Sequence, residues 1–126
     1  MQIEPVHTSG APEAIGPYSQ AVVAGDLIFC SGQVSLHPET GELIGDTAAE
    51  QTDRALQNLK AVLEAAGGGM DTVVRTTVYL ADMADYPSVN EVYARYFGAA
   101  KPARAAVAVK TLPKNALVEI DCIATR

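Results

Sequence analysis

The sequence predicts a two-layer α+β domain, a mixed six-stranded sheet with two helices on one face, in the order β-β-β-α-β-α-β-β. Three observations predict it. Two segments carry apolar residues at helical spacing. The other apolar runs are short, rich in β-branched residues and bounded by Gly, Pro, Asn and Asp. Helical and strand-like segments alternate with no break in composition, so residues 1–126 read as one domain around one core.

In chain order, "TSGAPEAIGPYSQ" up to Gln20 is loop chemistry. "AVVAGDLIFCSG" follows, two apolar runs about a Gly25-Asp26 hairpin turn. "HPETGE" marks a second turn and leads into "LIGD", the third strand. Thr47 and Glu50 have capping-box spacing. Ala55, Leu56, Leu59, Val62, Leu63 and Ala66 then make the apolar stripe of a long helix, which Gly67-Gly68-Gly69 ends. "TVVRTTVYL" is a strand. A second helix starts near Asp85 with Pro87 in its first turn, carries Val89, Val92, Tyr93, Tyr96 and Phe97 on one stripe, and stops at Gly98. The end, "PARAAVAVKTLPKNALVEI", reads as a hairpin of two strands about an "LPKN" turn.

Two helices cover one face only, yet Val22, Val23, Leu27, Ile28, Phe29, Val107, Val109, Leu117, Val118 and Ile120 lie in near-continuous apolar runs. Strands buried on both faces read this way. A symmetric oligomer is the expected cover for the second face.

The net charge of −6 and the scattered basic residues argue against a nucleic-acid partner. No apolar run approaches the ~18 residues of a membrane span. "MQIEPVHTSG" lacks the basic and apolar regions of a signal peptide, so a cytoplasmic location is expected. Cys30 and Cys122 sit in strand-like runs and read as buried thiols, with one disulfide between neighbouring strands as the other option. His7 and His37 are far apart, and no ligand spacing for a metal is present.

The candidate chemistry rests on few residues. With a hairpin centred on residues 112–115, Arg104 lies opposite Ile123 and Ala108 opposite Glu119, which puts Arg104 and Glu119 on one face. They are then roughly 13 Å apart at ~3.3 Å per residue. Two readings fit: a cross-strand ion pair at a subunit contact, or a bracket around a small ligand. In the second, the guanidinium takes a carboxylate and the glutamate orients a water. Tyr18, projecting from the Gly16-Pro17 turn, offers a flat wall and a hydroxyl, or packs the loop. Ser31 and Gly32 supply a hydroxyl and close backbone approach, or simply end a strand. Asn90 is a ligand group or a solvated polar residue. No nucleophile elbow, P-loop or dinucleotide turn is present, so the chemistry must rest on positioning, charge and water.

"IGPYSQA", "FCSGQVSLHPETGEL", "QTDRALQNLKAVLEAAG", "VVRTTVYLADMADYPSVNEVY" and "PARAAVAVKTLP" followed by "LVEI" succeed one another along nearly the whole chain. In these segments, and in Pro102, Arg104, Leu112, Glu119 and Ile120 above all, the sequence resembles the RidA/YjgF family of reactive-intermediate deaminases, also described as endoribonuclease L-PSP. The resemblance implies a chorismate-mutase-like fold, a homotrimer with clefts between subunits, and no cofactor. It implies hydrolysis of imines and enamines such as 2-aminoacrylate, 2-iminopropanoate and 2-iminobutanoate to 2-keto acids and ammonia. Arg104 would hold the substrate carboxylate and Glu119 the attacking water. Tyr18 would come from a neighbouring subunit, with Ser31, Gly32 and Asn90 nearby. The chain departs from the pattern at Ala106, where many members carry cysteine. Two further classes fit less of the inventory. One is a keto-acid binding or regulatory module using the same cleft. The other is a ribonuclease, for which the acidic chain offers no basic stripe and no histidine pair.

Overall fold

A computed structural model of the chain describes residues 1–126. Six strands and two helices form: β1 (Ile3–Val6), β2 (Ala21–Ala24), β3 (Leu27–Gln33), α1 (Ala48–Ala65), β4 (Val73–Leu80), α2 (Tyr86–Phe97), β5 (Ala103–Ala108) and β6 (Val118–Thr125). The sheet order is β1-β2-β3-β6-β4-β5. Only β4 and β5 pair in parallel; every other neighbouring pair is antiparallel. This is the predicted α+β class and element string.

The local signals account for the helices. Thr47 caps α1: its hydroxyl accepts the Glu50 amide at 3.2 Å and donates to the Glu50 carboxylate at 3.0 Å. At the other end Gly67 adopts φ +92°, and Gly68 N–H reaches back to Leu63 C=O at 2.9 Å, the double-bonded left-handed stop that glycine permits. Ala55, Leu56, Leu59, Val62, Leu63 and Ala66 are all buried against the sheet. On α2, Val89, Val92, Tyr93 and Phe97 are buried. From the sheet, Val23, Ile28, Val78, Leu80, Val118 and Ile120 complete this one core. Every buried side-chain polar atom has a partner. Neither helix is long and apolar enough to cross a membrane.

Two expectations about strands change. Ile3–Val6 is a strand and "LIGD" is not; it contributes only a bridge from Leu36 to Leu43. The strand was hidden by its own composition. It is an exposed edge strand carrying Pro5, and only an edge tolerates a missing donor.

The terminal hairpin does not form. β4 lies between β5 and β6, so the connection through residues 109–117 crosses over a strand instead of turning back beside it. Both helices are therefore crossovers between parallel strands, α2 joining the adjacent pair β4 and β5, and α1 joining β3 to β4 across β6.

Candidate active site

The inserted strand decides where the two candidate charges point. Thr76 of β4 is opposite Arg104 of β5 on one side and Cys122 of β6 on the other. Residues directly opposite share a face, and Thr76 is fully buried beneath the helices. Arg104 thus points to the helix face. Glu119 is opposite Tyr79, three residues further along β4 and of opposite parity, so it points to the open face. The single-face arrangement expected from a hairpin is overturned: within one chain Arg104 and Glu119 lie on opposite sides of the sheet. They are neither a cross-strand pair nor a bracket formed by one chain.

On the helix face, α2 builds a seat for Arg104. Its terminal nitrogens donate to Asn90 Oδ1 at 2.7 Å and to the Tyr86 hydroxyl at 2.6 Å. Its guanidinium carbon lies 4.8 Å from the Tyr93 ring centre and 5.4 Å from that of Tyr86. Tyr93 is itself fixed by a 2.7 Å hydrogen bond with Thr76, and burial pushes its phenol pKa up. All these partners are neutral. The chain's two ion pairs, His7 with Glu13 and Arg126 with Glu4, are elsewhere, so no carboxylate of the chain pairs with this half-buried guanidinium. A cavity of about 410 Å³ adjoins it, lined also by Lys101 and Pro102.

On the open side, a second cavity of about 520 Å³ gathers Tyr18, Ser31, Gly32 and Glu119, with Glu13 and Lys114 at its walls. A bulge makes it. Cys30 pairs with Cys122 but Gln33 with Ile120, so β3 carries one extra residue at Ser31-Gly32. The bulge lets Ser31 donate its hydroxyl to Ser19 C=O at 2.6 Å, tying the Tyr18 loop to the sheet. Buried Gln20 anchors the same loop through Thr8, Ala11 and Pro12. Glycine at 32 leaves room for the Glu119 carboxylate: a Cβ there would lie 2.8 Å from Glu119 Cδ and push it aside. Glu119 packs over that bare backbone without a hydrogen bond or an ion pair. Burial holds its carboxyl above the ordinary range, and the charge of Asp121 raises it further. Asp121 is itself fixed by the Tyr79 hydroxyl at 3.0 Å.

The predicted residues therefore fall into two groups. Tyr18, Ser31, Gly32 and Glu119 come together in one cavity; Arg104 and Asn90 come together at the other. Tyr18 belongs with Glu119 in the same chain, so relative to Arg104 the two stand together. Sequence reading passed over Tyr86 and assigned Tyr93 to the core. Their signal was the spacing of Tyr86, Asn90 and Tyr93, at i, i+4 and i+7 on the face of α2 turned to Arg104. Cys30 and Cys122 do face one another, as free thiols, and their mutual hydrogen bond with burial pushes the Cys122 pKa up.

A family model described as Endoribonuclease L-PSP matches residues 8–126. A RutC family protein of Pyrococcus horikoshii is 51% identical over 121 residues, 96% of each chain. A mouse protein named 2-iminobutanoate/2-iminopropanoate deaminase is 49% identical over 121 residues, covering 96% of this chain and 90% of its own. Among solved structures, E. coli TdcF with bound serine is similar with a TM-score of 0.91, at 39% identity and over 98% of each chain.

Proposed function

The chain belongs to the Endoribonuclease L-PSP family, that of RidA and YjgF, and from that membership we propose that it hydrolyses small 2-imino acids to 2-keto acids and ammonia. The observation that carries this reading is the seat of Arg104: a half-buried guanidinium oriented by neutral groups, with no carboxylate of its own. Such a group is built to receive one from outside, and its fork matches a carboxylate in two parallel hydrogen bonds.

Glu119 supplies the other half. A carboxylate with a raised pKa and no internal partner is a base poised for use. A protonated imine is already electrophilic. Glu119 takes a proton from water as the water oxygen bonds to the imine carbon, giving a tetrahedral carbinolamine. The proton then passes to the amine nitrogen, the C–N bond breaks, and ammonia leaves as the C=O forms and Glu119, ionised again, takes the hydroxyl proton and releases it to solvent or to the departing ammonia. Enamines enter after tautomerising to the imine. Positioning and charge carry the reaction.

Because Arg104 and Glu119 face opposite sides of the sheet, one chain holds two half-sites. In this reading a homotrimer completes each site, with Arg104, Asn90 and Lys101 from one copy and Glu119, Tyr18, Ser31 and Gly32 from the next. The related E. coli protein TdcF has serine bound, a small amino acid with one carboxylate, which supports a ligand of that chemical class here.

The test couples an amino-acid oxidase or a serine/threonine dehydratase, which generates the imine, to detection of the keto acid. Added protein is expected to accelerate release, and Arg104→Ala to abolish the acceleration while the assembly persists. Near-normal turnover by that variant contradicts the assignment. Keto-acid binding without turnover in the unaltered protein would make the chain a binding module instead.

A further inference from the structure

We propose that Tyr86 is a direct ligand of the substrate carboxylate, its hydroxyl acting as a donor beside Arg104; this rests on the reading of Arg104 as the carboxylate's partner. The argument is an inventory of donors and acceptors. A guanidinium has only N–H donors, so the groups touching it must offer oxygen. Asn90 therefore turns Oδ1 to Arg104, and Tyr86 accepts through its hydroxyl oxygen. Each partner has then spent an acceptor on the arginine and kept its donors. The Tyr86 O–H and the Asn90 Nδ2 amide find no acceptor within the chain, and they flank the guanidinium.

What remains around Arg104 is thus a set of convergent donors: its own free N–H groups, one phenol O–H and one amide. The ring of Tyr93 closes one side of the guanidinium. This arrangement discriminates. It suits a ligand whose bound end is acceptor-only, as a carboxylate is, and disfavours an amide or an alcohol, whose own N–H or O–H would meet another donor. One N–H of that terminal nitrogen is spent on Tyr86, and the two oxygens of a carboxylate can divide between a remaining guanidinium N–H and the Tyr86 hydroxyl beside it.

Tyr86→Phe tests this, because it removes the hydroxyl and leaves the ring that packs against the core and the cation. The expected result is a KM for 2-iminobutanoate raised about tenfold or more, with kcat within about twofold, as for a lost hydrogen bond to a charged group. The dissociation constant of 2-oxobutanoate, measured by NMR titration into the millimolar range, is expected to rise by the same factor. The titration is then repeated in Arg104→Lys, alone and with Tyr86→Phe. Direct ligation predicts that the Tyr86→Phe penalty persists there. A penalty that vanishes shows that Tyr86 acts only by holding the arginine and overturns the proposal, as does an unchanged KM in the single variant. If Arg104→Lys alone leaves 2-oxobutanoate binding unchanged, the carboxylate reading of Arg104 fails first and the proposal with it.

Discussion

In the proposed reaction, Glu119 is a single position tuned for chemistry at the expense of stability. Its carboxyl is raised first by burial and then by Asp121, two residues along the same face, which the Tyr79 hydroxyl keeps in place. A base acts only when ionised, so turnover is expected to fall as pH drops through that raised pKa. Asp121→Asn removes one cause of the elevation. The acid limb of kcat/KM should move to lower pH, with Glu13, Tyr18 and Lys114 as the other ionisable side chains lining the cavity. An unmoved limb would show that Asp121 does not act on Glu119. The same elevation has a sign for folding. The folded chain holds the Glu119 proton more tightly than the unfolded chain does, so the ionised carboxylate opposes folding above the raised pKa, and the opposition fades as pH falls through it. Glu119→Gln should accordingly keep or raise Tm at pH 7 while turnover drops about a hundredfold or more. Gly32→Ala tests the seat rather than the group. The new Cβ displaces the carboxylate, and a loss of roughly a hundredfold in kcat/KM is expected from a misplacement of about 1 Å.

At the scale of elements, the helices were legible because their signals are local. Thr47, the α1 stripe and Gly67 each act within a few residues. Gly67→Ala forces a Cβ into the left-handed region and should cost about 1 kcal/mol in urea unfolding, without touching kinetics. The sheet was legible in its strands and not in their order. "LPKN" has the look of a hairpin loop, and Lys114 and Asn115 do adopt positive φ there. Nothing local states that a third strand enters between β5 and β6. Pairing of that kind is decided by where α2 returns the chain. The consequence for the site is large, since one inserted strand moves Arg104 to the opposite face from Glu119. The candidate residues could be named from sequence; their partition into two groups needed the topology. Tyr86 escaped notice because a tyrosine in a first helical turn reads as packing, and only Arg104 gives it another use.

At the scale of the whole molecule, the open face of the sheet is the feature still to be answered. Leu27 and Phe29 of β3 and Val107 of β5 project from it 40%, 44% and 44% exposed. A row of large apolar groups on a pleated surface favours a cover, and in the proposed trimer further copies of the chain would provide one while joining the half-sites. Phe29→Glu places a charge within that face. It should yield monomers by sedimentation, with turnover lost although neither Arg104 nor Glu119 has changed. A monomeric variant with full turnover would contradict the shared site.

The most direct test mixes two inactive variants. Arg104→Ala retains Glu119, and Glu119→Gln retains Arg104. If each site takes one residue from each of two copies, unfolding and refolding the two together in equal amounts creates sites in which both native residues meet. Random assortment then restores about a quarter of the native turnover, since each site draws its two halves independently from a symmetric ring. Refolding either variant alone should restore none. A mixture as inactive as its components would contradict the account, because it would place Arg104 and Glu119 in the service of a site that a single chain completes.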